Sequence, residues 1–223
     1  MAGTKITGCD KASLPANLVI PEGVTKIGEH AFSNCKSLAN VTIPASVTEI
    51  GYGAFATSNL ASVVISDGVT SISDSMFSGC DKLASVTIPA SVTSIGEEAF
   101  ESCKSLASVT IPASVTKISN EAFRSCEKLA SVEISDGVTF IGELVFANCT
   151  SLASVDIPTS VKKIGDAAFL RCENLKELKY AGTQAQWKKV KKAGETGLEG
   201  KTVVCTDGEA TVRTNVLKKL LEL

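Results

Sequence analysis

Eight cysteines and one histidine are the residues of this 223-residue chain with the widest chemical reach, and their spacing limits what they could do. Cys80, Cys103, Cys126, Cys149 and Cys172 follow one another at intervals of 23, and Cys35 precedes them by 45, so that one position is skipped. If each interval is one layer of a stack, six thiols form a column spaced by about 4.8 Å, which invites a disulfide or metal ladder. Two facts oppose it. Disulfide Cβ atoms sit about 3.8 Å apart whereas stacked side chains point in parallel, and zinc needs four ligands converging on one point. The column is therefore expected to hold buried free thiols that act as small hydrophobes, with no metal and no cofactor. Cys9 and Cys205 fall outside the repeat, near opposite ends, and roughly 35 Å of stack between them should prevent their pairing.

The other reactive types offer less. His30 stands where other copies carry Glu98 or Glu121, so it reads as a solvated surface residue, and chemistry that needs two imidazoles is excluded. No Cys-x-x-Cys pair and no glycine-rich phosphate loop is present, and an enzyme is not expected. Trp187 reads as an aromatic cover for the last layer, and Lys188-Lys189-Val190-Lys191-Lys192 as a solvated helix face. Asn40-Val41-Thr42 and Asn148-Cys149-Thr150 match a glycosylation sequon, a motif short enough to recur by chance. With 22 Lys+Arg against 24 Asp+Glu scattered along the chain, there is no electrostatic footprint for nucleic acid or an anionic membrane. Neither an apolar run of about 20 residues nor the apolar core of a signal peptide is seen, so no membrane insertion is expected.

What must position these residues is a repeat. Phe recurs at Phe32, Phe55, Phe77, Phe100, Phe123, Phe146 and Phe169, and Leu at Leu38, Leu60, Leu83, Leu106, Leu129, Leu152 and Leu175. The consensus is L-x-x-V-x-I-P-x-x-V-x-x-I-G-x-x-A-F-x-x-C-x-x, with one deletion in the loop at Ala56-Thr57-Ser58-Asn59, where the usual Cys is missing. A unit of 23 residues cannot close a core alone but can stack on its neighbours, which predicts one solenoid coil per unit. In Ser108-Val109-Thr110-Ile111 the alternation predicts a strand with one buried face, and Pro112 or its Ser-Asp-Gly replacements end it. Ala99, Phe100 and Cys103 have the spacing of one helical turn. Val92-Thr93-Ser94-Ile95 fits neither period and is read as extended or irregular.

This pattern resembles the BspA-like (Treponema pallidum-type) leucine-rich repeats over residues 19–178, because the Ile-Pro or Ile-Ser step, the Ala-Phe pair and the Cys recur together. Tyr180-Ala181-Gly182-Thr183-Gln184-Ala185-Gln186-Trp187 and Val203-Val204-Cys205-Thr206-Asp207-Gly208 resemble the segment that closes such arrays in bacteria. The resemblance implies a right-handed solenoid with a parallel sheet on one side and short helical turns on the other. It also implies a cell-surface or secreted bacterial protein that binds host extracellular-matrix proteins or other cells. Two features depart from that picture: no export signal or wall anchor is visible, and the copies are unusually alike. A trimmed segment of a longer protein or an engineered consensus scaffold would show both.

The organisation expected is an N-terminal cap over 1–18, seven repeats over 19–178, a C-terminal cap over 179–210 and a short amphipathic helix over 211–223. Val212, Val216, Leu217, Leu220, Leu221 and Leu223 give that helix an apolar stripe for docking on the last coil or for self-association. A partner, protein or glycan, is expected on the outward strand positions, whose two columns are almost uniform Ser and Thr until Glu133, Asp156, Glu177 and Lys179. The expected contact residues are Ser108, Thr110, Ser131, Glu133, Ser154, Asp156, Glu177 and Lys179, with Phe140 as an aromatic anchor. Regular Thr ranks also suggest an ice-binding face, but the expected curvature and the breaks at Val64, Glu133 and Asp156 oppose it. The alternative to a binding module is a structural scaffold without a ligand, since Ser and Thr suit any exposed strand.

Overall fold

A computed structural model describes residues 3–11 and 13–212. The chain winds as a solenoid whose coils have three sides, two of them parallel sheets and the third a stack of turns. On the first side, the strands Asn17–Val19, Asn40–Ile43, Ser62–Ile65 and Ser85–Val86 form a four-stranded sheet. A second set continues the same face: Ser108–Ile111, Ser131–Ile134, Ser154–Ile157, Glu177–Tyr180 and Thr202–Cys205, with Gly208–Thr211 added antiparallel at the end. Alternation dictates the burial. Val109 and Ile111 face the core while Ser108 and Thr110 face out. Each strand ends at a proline-initiated turn in most coils, as where the Val115 N–H donates to the Pro112 carbonyl at 3.0 Å.

The segment that fits neither period in the sequence forms the second side. Ser71–Ile72, Ser94–Ile95, Lys117–Ile118, Phe140–Ile141, Lys163–Ile164 and Lys191–Lys192 are short strands of one parallel sheet, and Val24–Ile27 and Glu49–Ile50 belong to a smaller one with Thr4–Ile6. Two residues are too few to signal a strand by alternation. Their ladder is supplied by the equivalent residues of the coils above and below.

The third side buries Ala99, Phe100 and Cys103 as their spacing requires, but it does so without a helix. Glu98 and Ser102 take left-handed backbone, φ 54° and 57°, and equivalent residues do so in every other coil, with Gly53 and Gly79 serving at two of the positions. The N–H groups of Glu98, Phe100 and Ser102 donate to the carbonyls of Asn120, Ala122 and Arg124 in the next coil. A helix would have turned these donors back on its own coil and left the stack without hydrogen bonds on this side. The left-handed turns cost conformational energy at non-glycine residues such as Leu144 and Ala167, and the inter-coil bonds offset it.

Inside, the phenylalanines form one continuous stack: successive ring centroids from Phe32 to Phe169 lie 5.1–5.7 Å apart and the rings are within 24° of parallel. Beside it runs the thiol column. Cys80, Cys103, Cys126, Cys149 and Cys172 each donate Sγ–H to the carbonyl of a Phe in an earlier coil at 3.0–3.3 Å. In the coil with the deletion, Ser58 takes the cysteine's place, is 2% exposed and donates to the Phe32 carbonyl at 2.7 Å. The missing residue therefore lies between Ser58 and Leu60, and the column itself is unbroken. Burial pushes the thiols of Cys80, Cys126 and Cys172 up to about 12, and those of Cys103 and Cys149 well above the usual cysteine value. In the reduced native protein these five and Cys35 are expected to react slowly with a thiol reagent, and all eight thiols should titrate after denaturation. Rapid native labelling of Cys103 or Cys126 would contradict this placement.

At the C-terminal end Thr183 caps the four-residue helix Gln184–Trp187. Trp187 is buried against Tyr180 at 5.2 Å, and the Lys192 ammonium lies 4.1 Å from the Trp187 ring centre. The basic run is not a helix face: the helix stops at Trp187, and Lys191–Lys192 pairs with Lys163–Ile164. Thr211 ends the antiparallel strand and Val212 bridges to Glu199, whereas the remainder of the expected amphipathic helix, 213–223, lies outside the described residues. Among the described residues no helix is long and apolar enough to cross a membrane.

Candidate partner-binding face

The outward positions of the first side form two columns because parallel pairing in register places every twenty-third residue side by side. Ser108, Ser131 and Ser154 are register partners, as are Thr110, Glu133, Asp156 and Lys179. Glu177 pairs with Thr202 beyond them. Thr110, Glu133, Asp156, Glu177 and Lys179 are exposed, and the Thr110 hydroxyl donates to Glu133 Oε2 at 3.4 Å. Two carboxylates on adjacent strands, about 4.8 Å apart in the ladder direction, concentrate negative charge at the middle of this half of the face. A shallow cleft of 310 Å³ adjoins Asp156, lined by Ile134, Ile157, Pro158 and Tyr180 together with Asp156 and Lys179.

Phe140 is not part of this constellation. It belongs to the second sheet, half-buried between Lys117 and Lys163, its register partners, whose ammonium groups lie 5.9 and 5.2 Å from the ring centre. The Thr rank, too, lies away from the strand face, and some of its hydroxyls are engaged: those of Thr93 and Thr139 donate at 3.1 Å to the carbonyls of Thr70 and Thr116. His30 is exposed with left-handed backbone, φ 52°, its ring edge on Tyr52 at 5.1 Å.

The structure adds features that the columns did not announce. The face is divided: no ladder joins Ser85–Val86 to Ser108–Ile111, and a cleft of 270 Å³ lined by Val86, Thr87, Val109 and Pro112 opens between them. North of that division the face is partly apolar, with Val19 68% and Val64 56% exposed on either side of Thr42 in register. It also carries a polar ladder in which Asn40 Nδ2 donates to Asn17 Oδ1 and Ser62 Oγ to Asn40 Oδ1, both at 2.6 Å. The residues Leu18-Val19-Ile20-Pro21 match the strand-and-turn consensus, so the sequence did contain the signal for this first strand.

A parallel strand on the first side of each coil and a shorter one on the second, with leucine, valine, isoleucine and phenylalanine columns turned inward, define a leucine-rich-repeat solenoid. More specifically, the chain belongs to the BspA type leucine rich repeat family, whose model matches in 6 copies over residues 11–129 and 93–189. Among solved structures it is similar to the T. pallidum leucine rich repeat protein, with 29% identity, a TM-score of 0.61, and 99% of this chain and 87% of that one covered. It is also similar to a leucine-rich repeat protein from Bacteroides ovatus, with 26% identity, a TM-score of 0.63 and 86% of this chain covered. The match spans 63% of the Bacteroides chain, which is less than two thirds of its length. A leucine rich cell surface protein from Faecalibacterium prausnitzii is 27% identical over 78% of this chain and 81% of that one, with a TM-score of 0.30. No curated protein matches the sequence.

Proposed function

We propose that the chain is a non-catalytic binding module whose partner, a protein with a basic patch, docks on the C-terminal half of the strand face. Leucine-rich-repeat proteins are generally protein-interaction or adhesion modules. The observation that carries the reading is the in-register pair Glu133 and Asp156 beside an apolar-lined cleft. Like charges on neighbouring strands destabilise a sheet by a few tenths of a kcal/mol or more, roughly what a favourable cross-strand pair contributes with opposite sign. Lys179, in register with Asp156, offsets part of that cost, whereas Glu133 is flanked by Thr110 and Asp156, and a cationic partner relieves the remainder. Ser108, Thr110, Ser131 and Ser154 extend the contact as small hydrogen-bonding groups, and Glu177 and Lys179 set its far margin. Phe140, on another side of the prism, lies outside this contact. On this reading the module works at a cell surface or in secreted form, on host extracellular-matrix protein or on the glycans it bears.

The near-uniform Ser and Thr of the central coils favour a second reading, a structural or engineered consensus scaffold without a ligand. Surface plasmon resonance against a panel of immobilised matrix proteins and glycans separates the two. The native chain is expected to bind at least one member, and Glu133→Lys with Asp156→Lys is expected to weaken that binding by about tenfold or more, since like-charge juxtaposition across an interface costs several kcal/mol. Ser85→Ala should leave it unchanged. Absence of binding across the panel, or equal binding by the charge-reversed protein, would remove the proposed site.

A further inference from the structure

Cys9 stands 23 residues before Phe32, so the chain enters the solenoid with a thiol at the head of the phenylalanine column. Its Sγ lies 3.8 Å from Cys35 Sγ, although the two are 26 residues apart. The remaining column thiols donate to phenylalanine carbonyls of earlier coils, but the corresponding group for Cys35 would belong to Cys9 itself, and here sulfur meets sulfur. Cys9 is half-buried and Cys35 fully buried, so a reagent from solvent meets Cys9 first. The segment that carries Cys9 is anchored by backbone bonds, Gly28 N–H to the Ile6 carbonyl at 2.7 Å and Thr4 N–H to the Gly23 carbonyl at 3.3 Å. Cys9 Sγ donates to the Ala31 carbonyl at 3.2 Å, while Cys35 is fixed in the core by its N–H to Ser58 Oγ at 3.1 Å.

We propose that Cys9 and Cys35 are an oxidation site, and that their disulfide clasps the N-terminal segment over the open end of the core. Closing the gap from 3.8 Å to the bonded distance of about 2.05 Å asks for rotation and a small shift of Cys9 in its loop, not a movement of the column. The oxidant is a small-molecule disulfide. The Cys9 thiolate attacks one of its sulfurs, forming a mixed disulfide and releasing one thiolate. Cys35, deprotonated in the second step, attacks the Cys9 sulfur and expels the other. Two protein thiols lose two electrons and two protons, and the oxidant leaves as two thiols. The clasp is independent of the strand-face reading, since neither cysteine lies on that face.

The test is to treat the reduced 223-residue chain, under native conditions, with excess oxidised glutathione and then to block, denature and map it by mass spectrometry. The expected product has lost the mass of two hydrogens, yields one cross-linked peptide pair containing Cys9 and Cys35, and retains six alkylatable thiols. Cys35→Ser, whose new side chain mimics Ser58 one coil on, should instead accumulate a glutathionyl adduct on Cys9, and Cys9→Ser should not react at Cys35. Hydrogen exchange of the Gly28 and Thr4 amides should slow by about 100-fold on oxidation, as expected for a cross-link closing a loop of this length. A stable adduct on Cys9 of the native sequence, a disulfide between two chains, or eight unmodified thiols would each overturn the proposal.

Discussion

Raising the pH from about 8 to about 10 is expected to unfold the solenoid, through the thiol column rather than through any salt bridge. The core accepts the neutral thiol, and burial pushes Cys80, Cys126 and Cys172 from an ordinary 9.0 up to about 12, Cys35 up to about 11, and Cys103 and Cys149 upward as well. The folded chain then holds protons that the unfolded chain releases. Stability is complete below about pH 9 and falls as pH rises toward 12, by about 1.4 kcal/mol per pH unit for each thiol. The four thiols raised to about 11 or 12 together remove on the order of 5 kcal/mol by pH 10, comparable to the whole stability of a marginal domain, and Cys103 and Cys149 act in the same sense. Lys192 acts in the opposite sense, because burial lowers its value and its proton is lost earlier in the folded chain, but it is one group against six.

Urea denaturation followed at a series of pH values measures this slope directly. Cys126→Ser is the informative variant, because Ser58 already shows that a hydroxyl fits the column and reaches the same kind of carbonyl. It should reduce the alkaline slope by about 1.4 kcal/mol per pH unit while leaving the fold intact. An unchanged slope in that variant would show that alkaline lability arises elsewhere.

The second large effect is expected from Phe100→Ala. Phe100 is fully buried and stacked on both sides, 5.4 Å from Phe77 and 5.1 Å from Phe123. Neighbouring coils are held apart by inter-coil hydrogen bonds on the second and third sides, and by Ala107 N–H to the Ala84 carbonyl at 3.3 Å where the strand ladder of the first side breaks, and cannot collapse into the vacated space. The loss should therefore reach about 3–5 kcal/mol, the range for removing a large buried aromatic side chain. Phe32, with one ring neighbour in the stack, should tolerate the same change better. Ser108→Ala, on the exposed strand surface, should stay within about ±0.5 kcal/mol. Because each coil touches only those above and below, hydrogen exchange should accelerate first around Phe77 and Phe123 and last near both ends. Uniform acceleration, or equal effects of the two substitutions, would mean that the buried and exposed faces have been exchanged.

Much of the architecture was written in spacing. The Phe, Leu and Cys columns, the strand at Ser108-Val109-Thr110-Ile111 and the inward face of each coil follow from side-chain type at fixed intervals, because a 23-residue unit stacked on itself must put like beside like. For the same reason the outward succession of Thr110, Glu133, Asp156 and Lys179 is legible in the sequence. Properties that depend on what a residue meets from another coil were not legible. Ser94–Ile95 is a strand because Ser71–Ile72 and Lys117–Ile118 flank it. Glu98 and Leu144 are left-handed because the next coil's carbonyls draw their N–H groups, although neither residue type favours that conformation. Phe140 left the expected site because it falls three residues past the Ser135-Asp136-Gly137 turn, at the start of the second-side strand and so on another side of the prism. The division of the strand face after Val86 and the meeting of Cys9 with Cys35 are likewise tertiary. Local sequence sets which atoms a coil presents, and only the stacking of one coil on the next decides which of them touch.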